Sequence, residues 1–162
     1  MVIYLIRHGE TDWNTKRLLQ GATDIPLNQN GIEVAELTAE GLRDVQFDLI
    51  FTSPLKRARE TAEIIRGERK IPIIPDERLR EICFGPYEGL CCQKEGWNIP
   101  DPDFEKFFTS PGEYVPPKGG ESIRQLCERT TQFLQELVHQ KDYQDKTILL
   151  SGHGAVVKGL LS

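Results

Sequence analysis

The chain has 162 residues, a formal net charge of −5 and no block rich in lysine or arginine. This charge argues against an electrostatic grip on polyanions, so we predict neither nucleic acid nor a membrane as a partner. The sequence lacks an apolar stretch of membrane-spanning length and a basic, then hydrophobic, N-terminal segment, and we therefore expect a cytoplasmic protein. At this length one hydrophobic core is expected, which predicts a single domain over residues 1–162.

Four apolar runs predict β-strands. They are "VIYLI" at 2–6, "FDLIFTS" at 47–53, "IPIIP" at 71–75 and "KTILLS" at 146–151. The first run is continuous rather than alternating and is rich in β-branched residues. This pattern is typical of a strand that is buried on both faces in a parallel sheet.

Helical patterns lie between these strands, near 30–43, 54–67 and 121–140, and a final helix is expected after "SGHG". The longest of them shows the 3, 4, 7 spacing of apolar residues that is typical of an amphipathic helix. Strands that alternate with helices indicate crossover connections and a sheet covered on both sides. The sequence therefore predicts an α/β fold, a three-layer α/β/α sandwich with a mostly parallel central sheet.

Residues 93–120 interrupt this alternation with prolines and glycines, and only "DFEKFF" has room for one or two helical turns. Long irregular segments in compact domains are commonly lids or binding loops, so we expect a lid or substrate-specificity segment here. Its aromatic residues either stack on a substrate or anchor the segment to the body, and the sequence leaves both open. These residues are Trp97, Phe104, Phe107, Phe108 and Tyr114.

The four cysteines do not indicate a metal site or a disulfide framework. Cys83, Cys91, Cys92 and Cys127 have neither the paired spacing of a zinc site nor the density of a small disulfide-rich protein. We expect structural or incidental thiols, and we predict no metal and no cofactor.

Charged and polar residues follow three of the predicted strands. Arg7 and His8 come after the first, Arg57 begins the helix after the second, and His153 follows the fourth. Each is ordinary when taken singly, because a strand-end histidine is commonly structural and a helical arginine is commonly solvated. Ligands of open α/β sheets bind beyond the carboxyl ends of the strands, so together these residues predict an anion site. Glycines beside the two histidines, Gly9 and Gly154, are expected to let the backbone come close to a ligand.

Five segments in order carry a resemblance to a known family. They are "LIRHGETDWN", "SPLKRARETA", "LREICFGPYEG", "GGES" and "LLSGHG". Together they resemble the histidine phosphatase superfamily, also called the phosphoglycerate mutase-like family, over nearly the whole chain. Within it the chain is most similar to α-ribazole phosphatase-like and broad-specificity phosphatases.

The resemblance implies a role for each matching residue. His8 corresponds to the nucleophile that becomes phosphorylated, and Glu81 to the proton donor for the leaving oxygen. Arg7, Arg57 and His153 correspond to the groups that hold the phosphoryl group, with Asn14 as a further phosphate ligand. Substrate-binding positions at the pocket mouth are Gln20, Gly21, Thr23 and Gly154.

These roles are chemically coherent without a metal, because guanidinium groups can stabilise the charge of a transferring phosphoryl group. We expect a backbone carbonyl to fix the tautomer of a neutral His8, and we expect His153 to be protonated where it faces the phosphate. We expect burial or the charge of the phosphate to raise the pKa of Glu81. The implied partner is a small phosphorylated metabolite.

The residues around Glu81 favour hydrolysis over phosphoryl transfer between substrates. Glycolytic mutases of the family typically show "ERHYG" here, where this chain has Glu81-Ile82-Cys83-Phe84-Gly85. The 93–120 segment also carries few cations, whereas a mutase must retain a bisphosphate. We therefore predict a metal-independent phosphomonoesterase. A phosphoglycerate mutase, or an inactive or phosphate-binding member of the family, remains an alternative.

The chain is C-terminally shortened relative to the family, either naturally or as a truncated product. The sheet edge that a further strand would cover is then open to pairing. This predicts a homodimer.

Overall fold

A computed structural model describes all residues, 1–162, and has a four-stranded sheet at its centre. The strands are β1 (Val2–Arg7), β2 (Leu49–Thr52), β3 (Ile73–Pro75) and β4 (Thr147–Gly152). Their spatial order is β1-β4-β2-β3, and all three pairings are parallel. The four predicted strands are thus confirmed, and the sheet is parallel throughout rather than mostly parallel.

Six α-helices accompany the sheet: α1 (Asp12–Thr15), α2 (Gln29–Gly41), α3 (Lys56–Arg66), α4 (Lys106–Thr109), α5 (Ile123–His139) and α6 (Gly154–Leu161). The predicted helices correspond to α2, α3, α5 and α6. Helix α5 starts where Ser122 and Gln125 form a reciprocal capping box. Helix α1 lies in a stretch that carried no helix prediction, and it forms because Thr11 and Asn14 make a second capping box. No helix of the protein is long and apolar enough to cross a membrane.

Hydrophobic clusters cover both faces of the sheet, which confirms the three layers. Because successive strand residues point to opposite faces, Leu149 packs in one cluster while Ile148 and Leu150 pack in the other. The smaller cluster includes Ala62 and Ile65 of α3. The larger cluster receives side chains from α5 and α6, and from the 93–120 segment. The helix pairs α2/α3 and α5/α6 therefore cover opposite faces.

The 93–120 segment is irregular, as its prolines predict. A 3-10 turn over Pro102–Glu105 leads directly into α4, which matches the one or two turns expected for "DFEKFF". Trp97, Phe104 and Tyr114 of this segment pack in or against the larger core cluster. These three aromatic residues anchor the segment to the body.

Candidate active site

The topology brings the carboxyl ends of β1, β4 and β2 side by side. Arg7 is in register with Gly152, and Thr52 with Ser151. The register continues past the strands, because His8 N–H donates to the carbonyl of Gly152 at 3.0 Å and Ser53 N–H to that of Ser151 at 3.0 Å. The residues that follow the three strands therefore meet at one edge of the sheet.

His8 is held as a neutral imidazole with a defined tautomer. Its side chain is buried, and Nδ1 lies 2.6 Å from the carbonyl oxygen of Gly9. A carbonyl oxygen only accepts, so Nδ1 carries the proton and Nε2 carries the lone pair. Burial, assisted by the charge of Arg57, lowers the pKa of His8 from 6.5 to about 3. At neutral pH the ring is thus uncharged, and a backbone carbonyl fixes its tautomer, as expected from the sequence.

Arg57 is a fully buried cation at the start of α3. Its Nη1 and Nη2 groups donate to the carbonyls of Thr23 and Gly21, each at 2.7 Å. Burial lowers the pKa of the guanidinium to about 10, against the attraction of Glu81 and other carboxylates. The side chain therefore stays charged at neutral pH, and its Nε has no hydrogen-bond partner within the protein.

Glu88 fixes the loop that holds Arg57, and sequence reasoning gave it no role. Its carboxylate accepts from the backbone N–H groups of Ala22 at 2.9 Å and Phe84 at 3.0 Å, and from the Thr23 hydroxyl. Gly21 adopts a φ of +52°, and a methyl group there would lie 2.3 Å from Glu88 Oε1. The sequence feature that could have pointed to Glu88 is its position in the "FGPYEG" segment, one of the segments that carry the family resemblance.

Thr23 holds the loop beside Arg57 and does not line the cavity at this edge of the sheet. The sequence analysis placed it at the pocket mouth, but its hydroxyl donates to Glu88 and its carbonyl accepts from Arg57. Its contacts are those of a residue that positions Arg57 rather than one that faces a ligand.

Glu81 lies at the N-terminus of α6. Its Oε1 accepts from Ile82 N–H at 3.0 Å, and its Oε2 from Ala155 N–H at 3.2 Å. Burial raises the pKa of the carboxyl group, although these hydrogen bonds and the charge of Arg57 oppose the shift. A methyl group on Gly154 would lie 3.8 Å from Arg7 Nε and 3.9 Å from Glu81 Oε2. Arg7 and Glu81 therefore flank the same glycine.

His153 is fully buried beside His8. The two ring centroids are 5.1 Å apart, and His153 Nε2 lies 2.8 Å from the hydroxyl oxygen of Ser53. Burial and the charge of Arg57 hold the pKa of His153 well below 6.5. The protonated His153 that we expect beside a bound phosphate stays a prediction, because this low pKa describes the protein alone, in which burial disfavours the charged ring.

A cavity of about 500 Å³ opens onto this edge. Its polar lining, as we use the term, consists of Arg7, His8, Asn14, Gln20, Arg57 and Glu81; Gly21 and Gly154 also lie on the wall. Gln20 Oε1 accepts from the Thr11 hydroxyl at 2.8 Å, and Asn14 Oδ1 accepts from the Thr11 backbone N–H at 3.0 Å, which orients both side chains. Among the sequence-predicted site residues only Thr23 and His153 are absent from the wall.

The rest of the wall is mainly apolar. This apolar lining consists of Leu18, Leu19, Phe84, Phe107, Phe108, Pro111, Ile123 and Leu126. Phe107 and Phe108 come from the 93–120 segment, so its aromatic residues divide between anchoring and lining. The thiols of Cys92 and Cys127 also reach the wall, and all four cysteines are free. Lys158 is the one lysine on the wall.

Gly9 makes its close approach to another part of the chain rather than to the cavity. A methyl group there would lie 2.5 Å from the carbonyl oxygen of Gly31 in α2. Gly9 also lines a second cavity of about 360 Å³ together with Arg7, His8 and Asn14, so the expectation that it lets a ligand approach the backbone stays a prediction. The chain contains no group of three or more histidine, cysteine, aspartate or glutamate residues placed to hold a metal ion.

Comparison with known proteins agrees with this geometry. Residues 3–162 match the model of the histidine phosphatase superfamily, branch 1. The chain belongs to this superfamily. The PhoE phosphatase of Bacillus subtilis, described as uncharacterised, is 35% identical over 160 residues, which cover 99% of this chain and 75% of that protein.

A relative named as a mutase is nearly as similar to this chain as the PhoE phosphatase is. A 2,3-bisphosphoglycerate-dependent phosphoglycerate mutase of Cytophaga hutchinsonii is 34% identical over 162 residues, covering 99% of this chain and 75% of the mutase. The solved structure of YhfR from Bacillus stearothermophilus superimposes with a TM-score of 0.89 at 40% identity, over 98% of this chain and 77% of that one. α-Ribazole phosphatases are among the similar solved structures. The superfamily and its fold are thus confirmed.

Proposed function

We propose that this protein is a phosphatase that hydrolyses small phosphomonoesters through a phosphohistidine intermediate on His8. One observation carries the proposal: a buried, neutral histidine has its Nδ1 proton bound to the Gly9 carbonyl and shares a cavity with two arginines and a carboxyl group of raised pKa. Such a set provides a nucleophile, donors for the phosphoryl oxygens and a proton donor.

The reaction has two steps. In the first, the lone pair on His8 Nε2 forms a bond to phosphorus while the bond to the ester oxygen breaks, and Glu81 gives its proton to that oxygen. In the second, water attacks phosphorus, the nitrogen–phosphorus bond breaks, and Glu81 accepts the proton of the water. Inorganic phosphate leaves, and His8 and Glu81 return to their starting protonation states.

Arginine side chains supply the positive charge in this scheme. Arg7 and Arg57 lie on the cavity wall, and Arg57 Nε is a buried donor without a hydrogen-bond partner in the protein. Charge-assisted hydrogen bonds from such groups stabilise a phosphoryl group during transfer. They support metal-independent catalysis.

The wall chemistry favours hydrolysis and indicates the leaving group. Apart from Arg7 and Arg57 the wall offers Lys158 as a cation, whereas a mutase must retain a second phosphate. Next to Glu81, Ile82 is fully buried and Phe84 belongs to the apolar lining. We infer that the substrate is a small phosphomonoester whose leaving group has an apolar or aromatic part. Mutase activity is the second candidate because of the similarity to a mutase.

A substrate panel separates these functions. The protein is incubated with aromatic, sugar and glycerate phosphomonoesters, with and without a chelator, while free phosphate and 2-/3-phosphoglycerate interchange are measured. We expect phosphate release that resists the chelator, and no interchange. Interchange without release would establish the mutase, and neither reaction would leave a phosphate-binding protein.

The homodimer predicted from the sequence remains a proposal, as does the cytoplasmic location. Strand β1 pairs only with β4, and Val2 at its start is 54% exposed, so its outer edge is open to another strand. We expect a dimer in sedimentation velocity at micromolar concentration, and a monomer there would contradict it. Cell fractionation tests the location.

A further inference from the structure

Ser53 is a fully buried hydroxyl at the end of β2, in contact with His153. Its oxygen has two hydrogen-bond contacts: the backbone N–H of Leu55 donates to it at 3.3 Å, and His153 Nε2 lies 2.8 Å away. The Leu55 N–H group is a donor, so it cannot accept the serine proton. His153 Nε2 is therefore the one acceptor that the protein offers to this hydroxyl.

This arrangement decides which nitrogen of His153 carries the proton. If Nε2 carried it, Nε2 would donate to Ser53, and the serine proton would be buried without an acceptor. If Ser53 donates to Nε2, the serine hydroxyl is fully satisfied and the proton of the neutral ring lies on Nδ1. A buried hydroxyl without an acceptor is costly, so the second pattern is favoured.

The second pattern also suits the proposed reaction. His153 Nδ1 is buried and has no partner in the protein, as is also true of Arg57 Nε. The His153 ring is 5.1 Å from the ring of His8, centroid to centroid, so His153 lies beside the proposed nucleophile. With the proton on Nδ1, the ring offers a donor to a phosphoryl oxygen without itself being charged.

We propose that Ser53 is a positioning residue that fixes His153 in the Nδ1–H tautomer and so makes it a hydrogen-bond donor to the phosphoryl group. The donor function rests on the proposed phosphatase reaction. The tautomer itself does not, because it follows from contacts within the protein. Ser53 acts through His153.

The tautomer is measured first, in the wild-type protein, by ¹⁵N NMR of the histidine rings, with His153→Gln for assignment. We expect a protonated-type nitrogen at Nδ1 and an unprotonated-type nitrogen at Nε2 of His153. The reverse pattern in the wild-type protein would overturn the proposal without any need for a Ser53 variant. Titration with inorganic phosphate is expected to shift the Nδ1 resonance.

Ser53→Ala is the matching variant, and Ser151→Ala is its control. Ser151 is a buried hydroxyl on the neighbouring strand, but it donates to the carbonyl of Ala58 rather than to His153. In Ser53→Ala the ring can hold its proton on either nitrogen, so we expect a mixed tautomer and a fall in kcat of about tenfold, with a smaller change in KM. Ser151→Ala should keep the wild-type tautomer and kcat.

The outcomes separate this proposal from the proposed function. An Nδ1–H signal that persists unchanged in Ser53→Ala would show that Ser53 does not fix it, and would overturn the proposal. A wild-type protein that hydrolyses no phosphomonoester would refute the phosphatase. In that case, loss of the tautomer signature in Ser53→Ala and its persistence in Ser151→Ala would still support the role of Ser53.

Discussion

The polar and apolar linings of the cavity are built in different ways. In the polar lining, Arg7 is the last residue of β1, His8 directly follows it, and Arg57 lies in the first turn of the helix after β2. Backbone hydrogen bonds between neighbouring strand ends fix their positions. The apolar lining draws Phe107 and Phe108 from α4, a four-residue helix in an irregular segment. Arg7, His8 and Arg57 are thus fixed by the regular part of the fold, whereas Glu81 and the aromatic residues Phe107 and Phe108 come from its irregular stretches.

Removal of the nucleophile tests the polar lining most severely. In His8→Ala we expect turnover to fall by at least about 10³-fold, because the variant lacks the imidazole nitrogen on which the phosphohistidine forms. Quenched reactions with ³²P-labelled substrate should trap phosphoenzyme in the wild-type protein and none in the variant. His139→Ala is the control, since His139 is exposed on α5. Phosphoenzyme in His8→Ala would show that another residue is the nucleophile.

Replacement of the proton donor should depend on the leaving group. In Glu81→Gln we expect the rate of phosphoenzyme formation, measured in a single turnover, to fall by about 10²- to 10⁴-fold for alkyl phosphates and far less for p-nitrophenyl phosphate, whose oxygen leaves without a proton. The wild-type rate should decline at alkaline pH as Glu81, whose pKa is raised, loses its proton. That alkaline limb should disappear in the variant. Equal losses on both substrates would contradict a proton-donor role, and Glu77→Gln at an exposed site is the control.

The positions of His8 and His153 at the ends of strands were predictable, because a strand is recognised from a short run of neighbouring residues. The order of the five family segments can also be read directly from the sequence. The roles of Glu88 and Ser53 were not, because each acts through contacts with residues far along the chain: Ala22 and Thr23 for Glu88, and His153 for Ser53. The contact between Gly9 and Gly31 is likewise a consequence of helix packing. In the 93–120 segment no periodicity distinguishes Phe104, which is buried, from Phe108, which is 52% exposed.

Burial of the neutral His8 in the polar lining should make stability depend on pH. The pKa of His8 is about 3 in the folded protein and about 6.5 when unfolded, so between these values the unfolded chain binds the extra proton. The stability is complete above pH 6.5 and declines as the pH falls toward 3. From pH 7 to pH 5 we expect the His8 contribution to the free energy of unfolding to fall by about 2 kcal/mol.

Denaturant unfolding at the two pH values measures this effect. Glu81, with a raised pKa, changes stability in the opposite direction, so the informative quantity is the difference between the wild-type protein and His8→Gln. The variant should lose less stability on acidification than the wild-type protein by about the same 2 kcal/mol. His139→Gln should behave as the wild-type protein does. If His8→Gln and the wild-type protein show the same pH dependence of stability, the pKa of His8 is the same in the folded and the unfolded protein.

The smallest expected effect belongs to the apolar lining, and it decides whether this wall selects substrates. Phe108 lies on the cavity wall with its ring centroid 5.1 Å from that of Phe107, and half of its surface is open to solvent. Its truncation removes apolar contact area from a bound leaving group without disturbing the buried core.

In Phe108→Ala we expect KM for an aryl phosphate to rise about tenfold, which corresponds to about 1.4 kcal/mol, with kcat unchanged. KM for glycerol phosphate should stay within about twofold, because a small polar leaving group gains little from the ring. Val115→Ala controls for truncation in the same segment, since Val115 is 75% exposed and lies off the cavity wall. Equal rises in KM for both substrates would mean that Phe108 supports the polar lining, and the division between a catalytic and a selecting wall would then fail.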